Sequence, residues 1–333
     1  MQRRIFLKAI PAAAMLPALQ SAPRLKIADI RVVALKTIRE TGTMEAAWNP
    51  GTRTTQRIGG GSFTEIRTDQ GLTGIGPGME AASVPAAKAQ LLGKDPFDIE
   101  QVAGPLRYYL GASSRVVSSL EIALWDLIGK AAQQPLYKLW GAAKERVPAN
   151  ASMIQLSTPE ERVRMAVELT AQGWKAITLR LHYQTMKEDI GLVEAVKKAV
   201  GEGMGIMTDA NQAQSAGTWQ PGVQWDFRRA AETARELQRL NVLWLEEPLC
   251  RYDFDGLAEL NRLVDIPIAG GENNHGVHEY RWILERGVFS ILQPDVMVAD
   301  GVTGFRQIAG LAAAFNKRII PNPEVELPLS GKV

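Results

Sequence analysis

Three short segments in the second half of the chain place an acid where it could do chemistry. They are Met207-Thr208-Asp209-Ala210-Asn211, Trp244-Leu245-Glu246-Glu247-Pro248 and Gly270-Gly271-Glu272-Asn273. Each follows an apolar run that reads as a buried strand, so each acid falls at a strand end. Acids at the ends of successive parallel strands converge on one point, and converging carboxylates repel unless a hard divalent cation neutralises them. With oxygen donors alone, and neither cysteine nor histidine beside them, Asp209, Glu246 and Glu272 fit Mg²⁺ better than Zn²⁺. A single acid at a strand end is commonly just solvated; three in consecutive units carry the argument. In Glu246-Glu247, strand alternation sends one side chain to the centre. Glu246 is taken as the ligand, with Glu247 behind it or turned outward.

The elements that would hold these acids can be read from periodicity. From about Val147 the chain alternates strand and helix. Strands are expected at 149–154, 176–181, 205–209, 242–245, 266–269, 290–293 and 318–320. Helices are expected at 159–172, 189–200, 227–239, 254–263, 277–286 and 302–315. This alternation implies a parallel sheet. Seven such units at regular spacing, with no glycine-rich phosphate fingerprint after the first strand, favour a TIM-like (β/α) barrel over a dinucleotide fold. Barrel enzymes carry their reactive groups at the C-terminal strand ends, where the three acids lie. Before this region come a strand at 25–34, a hairpin at 62–67 and 72–75 around Asp69-Gln70-Gly71, and helices at 84–92, 98–110 and 116–132, an α+β arrangement. Residues 40–61 are polar and glycine-rich, contain Trp48, Arg53 and Arg57, and read as a mobile loop.

Bulk properties narrow the partners. The 333 residues carry a net charge of +2, too little for a nucleic-acid or polybasic membrane surface. The single cysteine, Cys250, excludes an internal disulfide and a thiolate metal cluster. His182, His275 and His278 are the only imidazoles. Residues 1–23 pair Arg3 and Arg4 with an apolar stretch at 9–19 that is too short to span a bilayer. This resembles a twin-arginine export signal. It implies a periplasmic or exported protein, cytoplasmic if the signal goes unused, with no membrane association after removal. The expected organisation is a signal at 1–23, an α+β domain at 24–146 and a metal-binding barrel at 147–333.

Taken together, Asp209-Ala210-Asn211-Gln212, Trp244 to Pro248, Gly271-Glu272-Asn273, Gln293-Pro294-Asp295 and the helix run Ser119 to Asp126 resemble the enolase superfamily, specifically the mandelate racemase and muconate lactonizing enzyme group. The resemblance spans roughly residues 24–322. It implies an α+β capping domain over a modified (β/α)₇β barrel, and a small carboxylate substrate, a sugar acid or 2-hydroxy acid, bound at Mg²⁺. It also implies a base that removes the α-proton to give an enediolate. A Lys or His base with Mg²⁺ is the arrangement described for these sites in general. Homo-oligomers are common in such barrels.

The chain departs from that pattern at several positions. The Lys-x-Lys pair expected at the end of the second barrel strand is Thr178-Leu179-Arg180, with His182 following. Arginine stays protonated and is a poor general base, but it can hold a substrate oxygen. His182 has a suitable reference pKa for a base, or it is a bystander on a loop. Asp295 matches the aspartate of an Asp–His dyad, but the histidine position reads Asn322, so Asp295 must find another partner. Asn211 and Asn273 flank the ligands as expected contacts of ligand or substrate, and the resemblance puts Trp48, with Arg53 and Arg57, in the part of the capping domain that selects substrate, or else on a polar surface loop. After Pro323 only ten residues remain, leaving no sequence for an eighth strand, so the chain is expected to be a truncated or frameshifted form of a longer ancestor, or a partner or another subunit covers the gap. With Thr178 and Asn322 where bases normally sit, one-sided dehydration of an acid sugar is expected over two-sided racemisation. The alternative is a metal-binding relative without activity.

Overall fold

A computed structural model describes residues 24–111, 115–214 and 222–322. The proposed export signal and the segment after residue 322 lie outside the described residues. The N-terminal unit runs β1 (Ile27–Ala34), β2 (Thr37–Glu45), β3 (Arg53–Gly59), β4 (Ser62–Thr68) and β5 (Thr73–Pro77). Helices α1 (Val84–Leu91), α2 (Ile99–Leu110), α3 (Arg115–Ala131) and α4 (Leu136–Leu139) follow. β1, β4 and β5 form an antiparallel sheet. Helix α3 covers it with Leu120, Ala123, Leu124 and Leu127, all fully buried. That face is the one its helical periodicity marks. The approach is close: a Cβ on Gly76 would lie 2.2 Å from the Ser119 carbonyl oxygen, and one on Gly74 2.1 Å from that of Ala123.

The polar segment read as a loop is instead a two-stranded ribbon, β2 against β3. The signal was present in its β-branched residues: Thr43 faces Thr55, and Glu40 faces Arg57 with an ion pair at 3.5 Å. Polarity on both faces hid it, because an exposed ribbon has no apolar alternation to display. Its tip, residues 46–52, is tied down at the base. Ala47 N donates to Ile154 O at 2.9 Å and Leu156 N to Glu45 O at 2.8 Å.

The second unit alternates as expected. It comprises β6 (Ala151–Ser152), α5 (Pro159–Ala171), β7 (Ala176–Arg180), α6 (Met186–Val200), β8 (Gly205–Asp209), α7 (Phe227–Arg239) and β9 (Leu245–Glu246), then α8 (Phe254–Leu263), β10 (Ile268–Gly270), α9 (Gly276–Arg286), β11 (Ile291–Leu292), α10 (Gly301–Ala314) and β12 (Arg318–Ile319). The seven strands pair in sequence order, all parallel, as a curled half-barrel whose edges among the described residues are β6 and β12. Helix α6 starts three residues before its apolar pattern does. Thr185 and Glu188 form a reciprocal capping box that satisfies the free N–H groups there. Thr158 and Glu161 do the same for α5.

Alternation along the strands sorts the side chains into two environments. Ile177, Leu179, Ile206, Leu245, Ile268 and Leu292 pack outward into the main core beneath the helices. Met207, Trp244, Ala269 and Ile291 form a separate apolar cluster. One turn of alternation further along, the same inner face carries Arg180, Asp209 and Glu246. The acids therefore sit on an apolar floor.

The two units meet along α3 and α10. Trp125 Nε1 donates to Thr303 Oγ1 at 3.0 Å, and Thr303 N donates to Glu121 Oε2 at 3.1 Å. Glu121 is fully buried at the first turn of α10, where helix N–H groups favour an anion. Burial nonetheless raises its carboxyl above the ordinary range. The close α3–β5 packing makes a direct prediction. Gly76→Val should lower stability to urea by about 3 kcal/mol, because backbone atoms cannot yield to the new side chain. Gly104, with open space around its Cβ position, should accept alanine with no loss.

Candidate active site

Asp209 ends β8 and lies opposite Glu246 in the strand register, and Glu246 lies opposite Ala269 of β10. Glu272 follows β10 by two residues. The three acids thus reach neighbouring strand ends on one side of the sheet. Asp209 is fully buried. Its Oδ1 accepts from Asn211 N at 2.7 Å, and its Oδ2 accepts from Asn211 Nδ2 at 3.0 Å. The same Oδ2 forms an ion pair with Arg180 Nη1. Glu246 Oε2 accepts from the indole Nε1 of Trp244 at 3.3 Å. Glu272 Oε1 accepts from Asn273 Nδ2 at 2.9 Å, and its Oε2 accepts from Asn322 Nδ2.

Glu247 is buried as well, and is not turned outward. Its φ of +46° takes the backbone out of strand geometry, so the alternation that would have separated it from Glu246 stops there. Its Oε1 accepts from Asn273 Nδ2 at 3.3 Å, so one amide bridges Glu247 and Glu272. Asp295 is buried, and its Oδ1 accepts from Met297 N at 2.6 Å, a backbone partner in place of a histidine. Behind Glu272, the buried Tyr280 donates its hydroxyl to Gly271 O at 2.5 Å. Gly271 sits at φ +113°, a conformation that needs glycine.

Arg180 is the cation that the strands deliver to these acids. Besides Asp209, it donates from Nη1 to Asn211 Oδ1 at 3.3 Å and from Nη2 to Ser152 Oγ at 2.9 Å. Its guanidinium lies 5.7 Å from the ring centre of Trp48, which reaches over it from the ribbon tip. Thr178, one alternation deeper, accepts at Oγ1 from Asn150 Nδ2 at 2.8 Å. His182 packs its ring on Tyr183 at 4.4 Å, with a buried Nε2. Burial, then the charge of Arg162, holds its pKa below the ordinary value, so the imidazole is neutral at pH 7. Arg53 and Arg57 pair with Glu45 and Glu40 on the ribbon.

The electrostatics show a deficit of positive charge. Glu272 is pushed up to about 7, first by burial and then by Glu246. Glu247 is raised well above the carboxylate range by burial, then by Glu272 and Glu246. Buried acids that resist ionisation because of one another fit a divalent cation, and the donors are all hard oxygens. Among the described residues, however, no three His, Cys, Asp or Glu side chains are arranged to hold a metal ion. The expected cage of Asp209, Glu246 and Glu272 is not closed here. Arg180, Trp244, Asn273 and Asn322 hold the acid oxygens instead. Strand patterns left Glu247 either behind Glu246 or turned outward, and did not mark Ser152 or Tyr280. A positive φ, a partner one strand away and a contact nine residues distant leave no local signature.

Comparison with known proteins gives the same assignment. Residues 37–141 match the model of the mandelate racemase / muconate lactonizing enzyme N-terminal domain, and residues 161–330 match that of the enolase C-terminal domain-like family. An L-talarate/galactarate dehydratase from Salmonella typhimurium LT2 is 33% identical over 81% of this chain and 69% of its own length. A 3,6-anhydro-alpha-L-galactonate cycloisomerase from Streptomyces coelicolor is also 33% identical, over 68% of this chain and 62% of its own length. Among solved structures, a racemase from Streptomyces coelicolor A3(2) with bound magnesium superposes with a TM-score of 0.77 at 27% identity, over 89% of this chain and 83% of that one. An L-talarate dehydratase from Polaromonas sp. JS666, complexed with Mg and L-glucarate, gives 0.75 at 28% identity, over 91% and 83%. The chain belongs to the mandelate racemase and muconate lactonizing enzyme family of the enolase superfamily.

The raised Glu272 carboxyl sets a pH dependence for the metal-free protein. Its folded pKa lies above its unfolded one, so its contribution to stability is fully present below pH 4.5 and is lost as pH rises through about 7. In EDTA, stability to urea should fall between pH 5 and pH 8 by about 2 kcal/mol, partial exposure of Glu272 keeping the loss below the full linkage value. Glu272→Gln should flatten that slope.

Proposed function

We propose that this protein is a Mg²⁺-dependent dehydratase of acid sugars, a lyase acting beside a carboxylate. The observation that carries this reading is the set of acids Asp209, Glu246 and Glu272 at adjacent strand ends, the first two buried and the third half-buried, short of positive charge. Asp209, Glu246 and Glu272 would hold the ion. When bound, it would supply a fixed charge that binds the substrate carboxylate and favours loss of the neighbouring proton. The relatives that are dehydratases of sugar acids support the substrate class, and the neighbours solved with magnesium support the cofactor.

The chain's own residues then divide the remaining work. Arg180, fixed between Ser152 and Asn211 beneath Trp48, orients an oxygen of the substrate and adds positive charge. Trp48, exposed at the tip of the ribbon, covers the mouth. His182, neutral at pH 7, takes the α-proton. Asn322 and Thr178 do not titrate near neutral pH, so acid and base groups on both faces of the substrate are not provided. This favours dehydration over racemisation. After signal removal, the protein would work outside the cytoplasm.

The test is a panel of aldaric and aldonic acids assayed with Mg²⁺. Turnover should disappear in EDTA and fall by at least about 100-fold in Glu246→Gln. His182→Ala should abolish exchange of the α-hydrogen with D₂O, while Trp48→Ala should raise KM more than it lowers kcat. Metal binding with no turnover and no exchange on any acid would instead identify an inactive relative. That reading is favoured by His182, whose ring packs on Tyr183 with its Nε2 buried.

A further inference from the structure

We propose that Arg180 is a resident counter-cation, and that a divalent ion enters this site only when the guanidinium releases Asp209. The inference rests on the metal-dependent reading above. Arg180 ends β7 directly opposite Asp209, the last residue of β8. The fold thus places a permanent positive charge beside the first of the three acids. Asp209 is fully buried and both its oxygens are engaged: Oδ1 by Asn211 N, Oδ2 by Asn211 Nδ2 and by Arg180 Nη1. Mg²⁺ requires close oxygen ligands at about 2.0–2.1 Å in near-octahedral order. It cannot take the Asp209 oxygen that the guanidinium holds, and the two cations repel at that range. An amine could resolve the conflict by losing a proton. A guanidinium does not deprotonate in proteins, so Arg180 has to move.

The structure also provides the direction of movement. Arg180 Nη2 is held by Ser152 Oγ on β6, away from the acids, and the Trp48 ring lies over the guanidinium. Releasing Nη1 from Asp209, and from the neighbouring Asn211 Oδ1, leaves those two contacts as the resting place. The displaced charge then faces the mouth, where a substrate anion arrives. Metal entry would therefore prepare the cationic contact for the substrate, and a metal-free site would keep it locked away.

Calorimetric titration of the full-length, EDTA-treated protein with Mn²⁺, repeated by electron paramagnetic resonance, tests this. Arg180→Gln should bind Mn²⁺ about tenfold more tightly than the native chain, and Arg180→Lys should fall between them. In thermal melts, metal-free Arg180→Gln should unfold at lower temperature, and Mg²⁺ should raise its midpoint by more than it raises the native one. Equal or weaker Mn²⁺ binding by folded Arg180→Gln, as judged by circular dichroism, overturns the competition while leaving the metal site standing. Tight binding by the native chain that survives Asp209→Asn overturns the assignment of the contested oxygen. If neither the native chain nor Arg180→Gln takes up Mn²⁺, the metal-dependent reading fails, and the competition fails with it.

Discussion

The mutual repulsion of carboxylates buried at one end of a parallel sheet is the constraint around which this molecule is organised. Asp209, Glu246, Glu247 and Asp295 are drawn out of water by these strand ends, and Glu272 partly so. An unpaired buried charge is costly, so each must be protonated, hydrogen-bonded or matched by a cation. Every device is in use. Burial and mutual charge raise Glu272 and Glu247. Amides of Asn211, Asn273 and Asn322, and the indole of Trp244, donate to the oxygens. Arg180 supplies the positive charge. A fold built for stability alone would have placed leucine at these positions.

What makes the arrangement possible is the layering beneath it. Met207, Trp244, Ala269 and Ile291 form a buried apolar layer on the inner face of the sheet below the acids. In such surroundings, charge–charge interactions are several times stronger than at a surface. The same floor that makes the acids expensive makes any cation they capture effective. Cover from above comes from the other unit. The ribbon β2–β3 is anchored to residues 154–156, at the C-terminal side of β6, and this carries Trp48 to within 5.7 Å of Arg180. The junction of α3 and α10 holds the two units in register through Trp125, Thr303 and Glu121. A capping domain attached only by a flexible linker would not hold a tryptophan over one guanidinium.

The comparison of sequence with structure divides along physical lines. Strands and helices with one buried face were legible, because burial imposes a period. The inward lean of Arg180, Asp209 and Glu246 followed from the same alternation. The ribbon at 37–59 was not legible, because two solvated faces impose no period and its cross-strand charge pairs are set by partners up to seventeen residues apart. Helix α6 began early because a capping box, not hydrophobicity, decides a start. The burial of Glu247 depended on one residue at positive φ. Asp209 and Glu246 lie opposite each other in register, with Glu272 two residues beyond β10. Their partners Asn273, Asn322 and Trp244 leave no signature in strand periodicity, because a donor's reach depends on its rotamer and not on its spacing.

The departures from the family pattern belong to a single electrostatic problem. The resemblance leads one to expect two lysines and a histidine around the acids, where this chain has Thr178, Arg180 and Asn322. Each of the two neutral replacements keeps a hydrogen-bonding role: Thr178 accepts from Asn150, and Asn322 donates to Glu272. Neither can change charge near neutral pH. The positive charge of three titratable groups is thereby concentrated in one group that never titrates. A site of this kind has little freedom to adjust its charge by shifting protons among cations. Its remaining freedom lies in the raised carboxyls and in the position of one arginine. That shifts control of the site from protonation of bases to movement of a fixed charge, and it is why the pairing of Arg180 with Asp209 is the contact on which the chemistry of this chain turns.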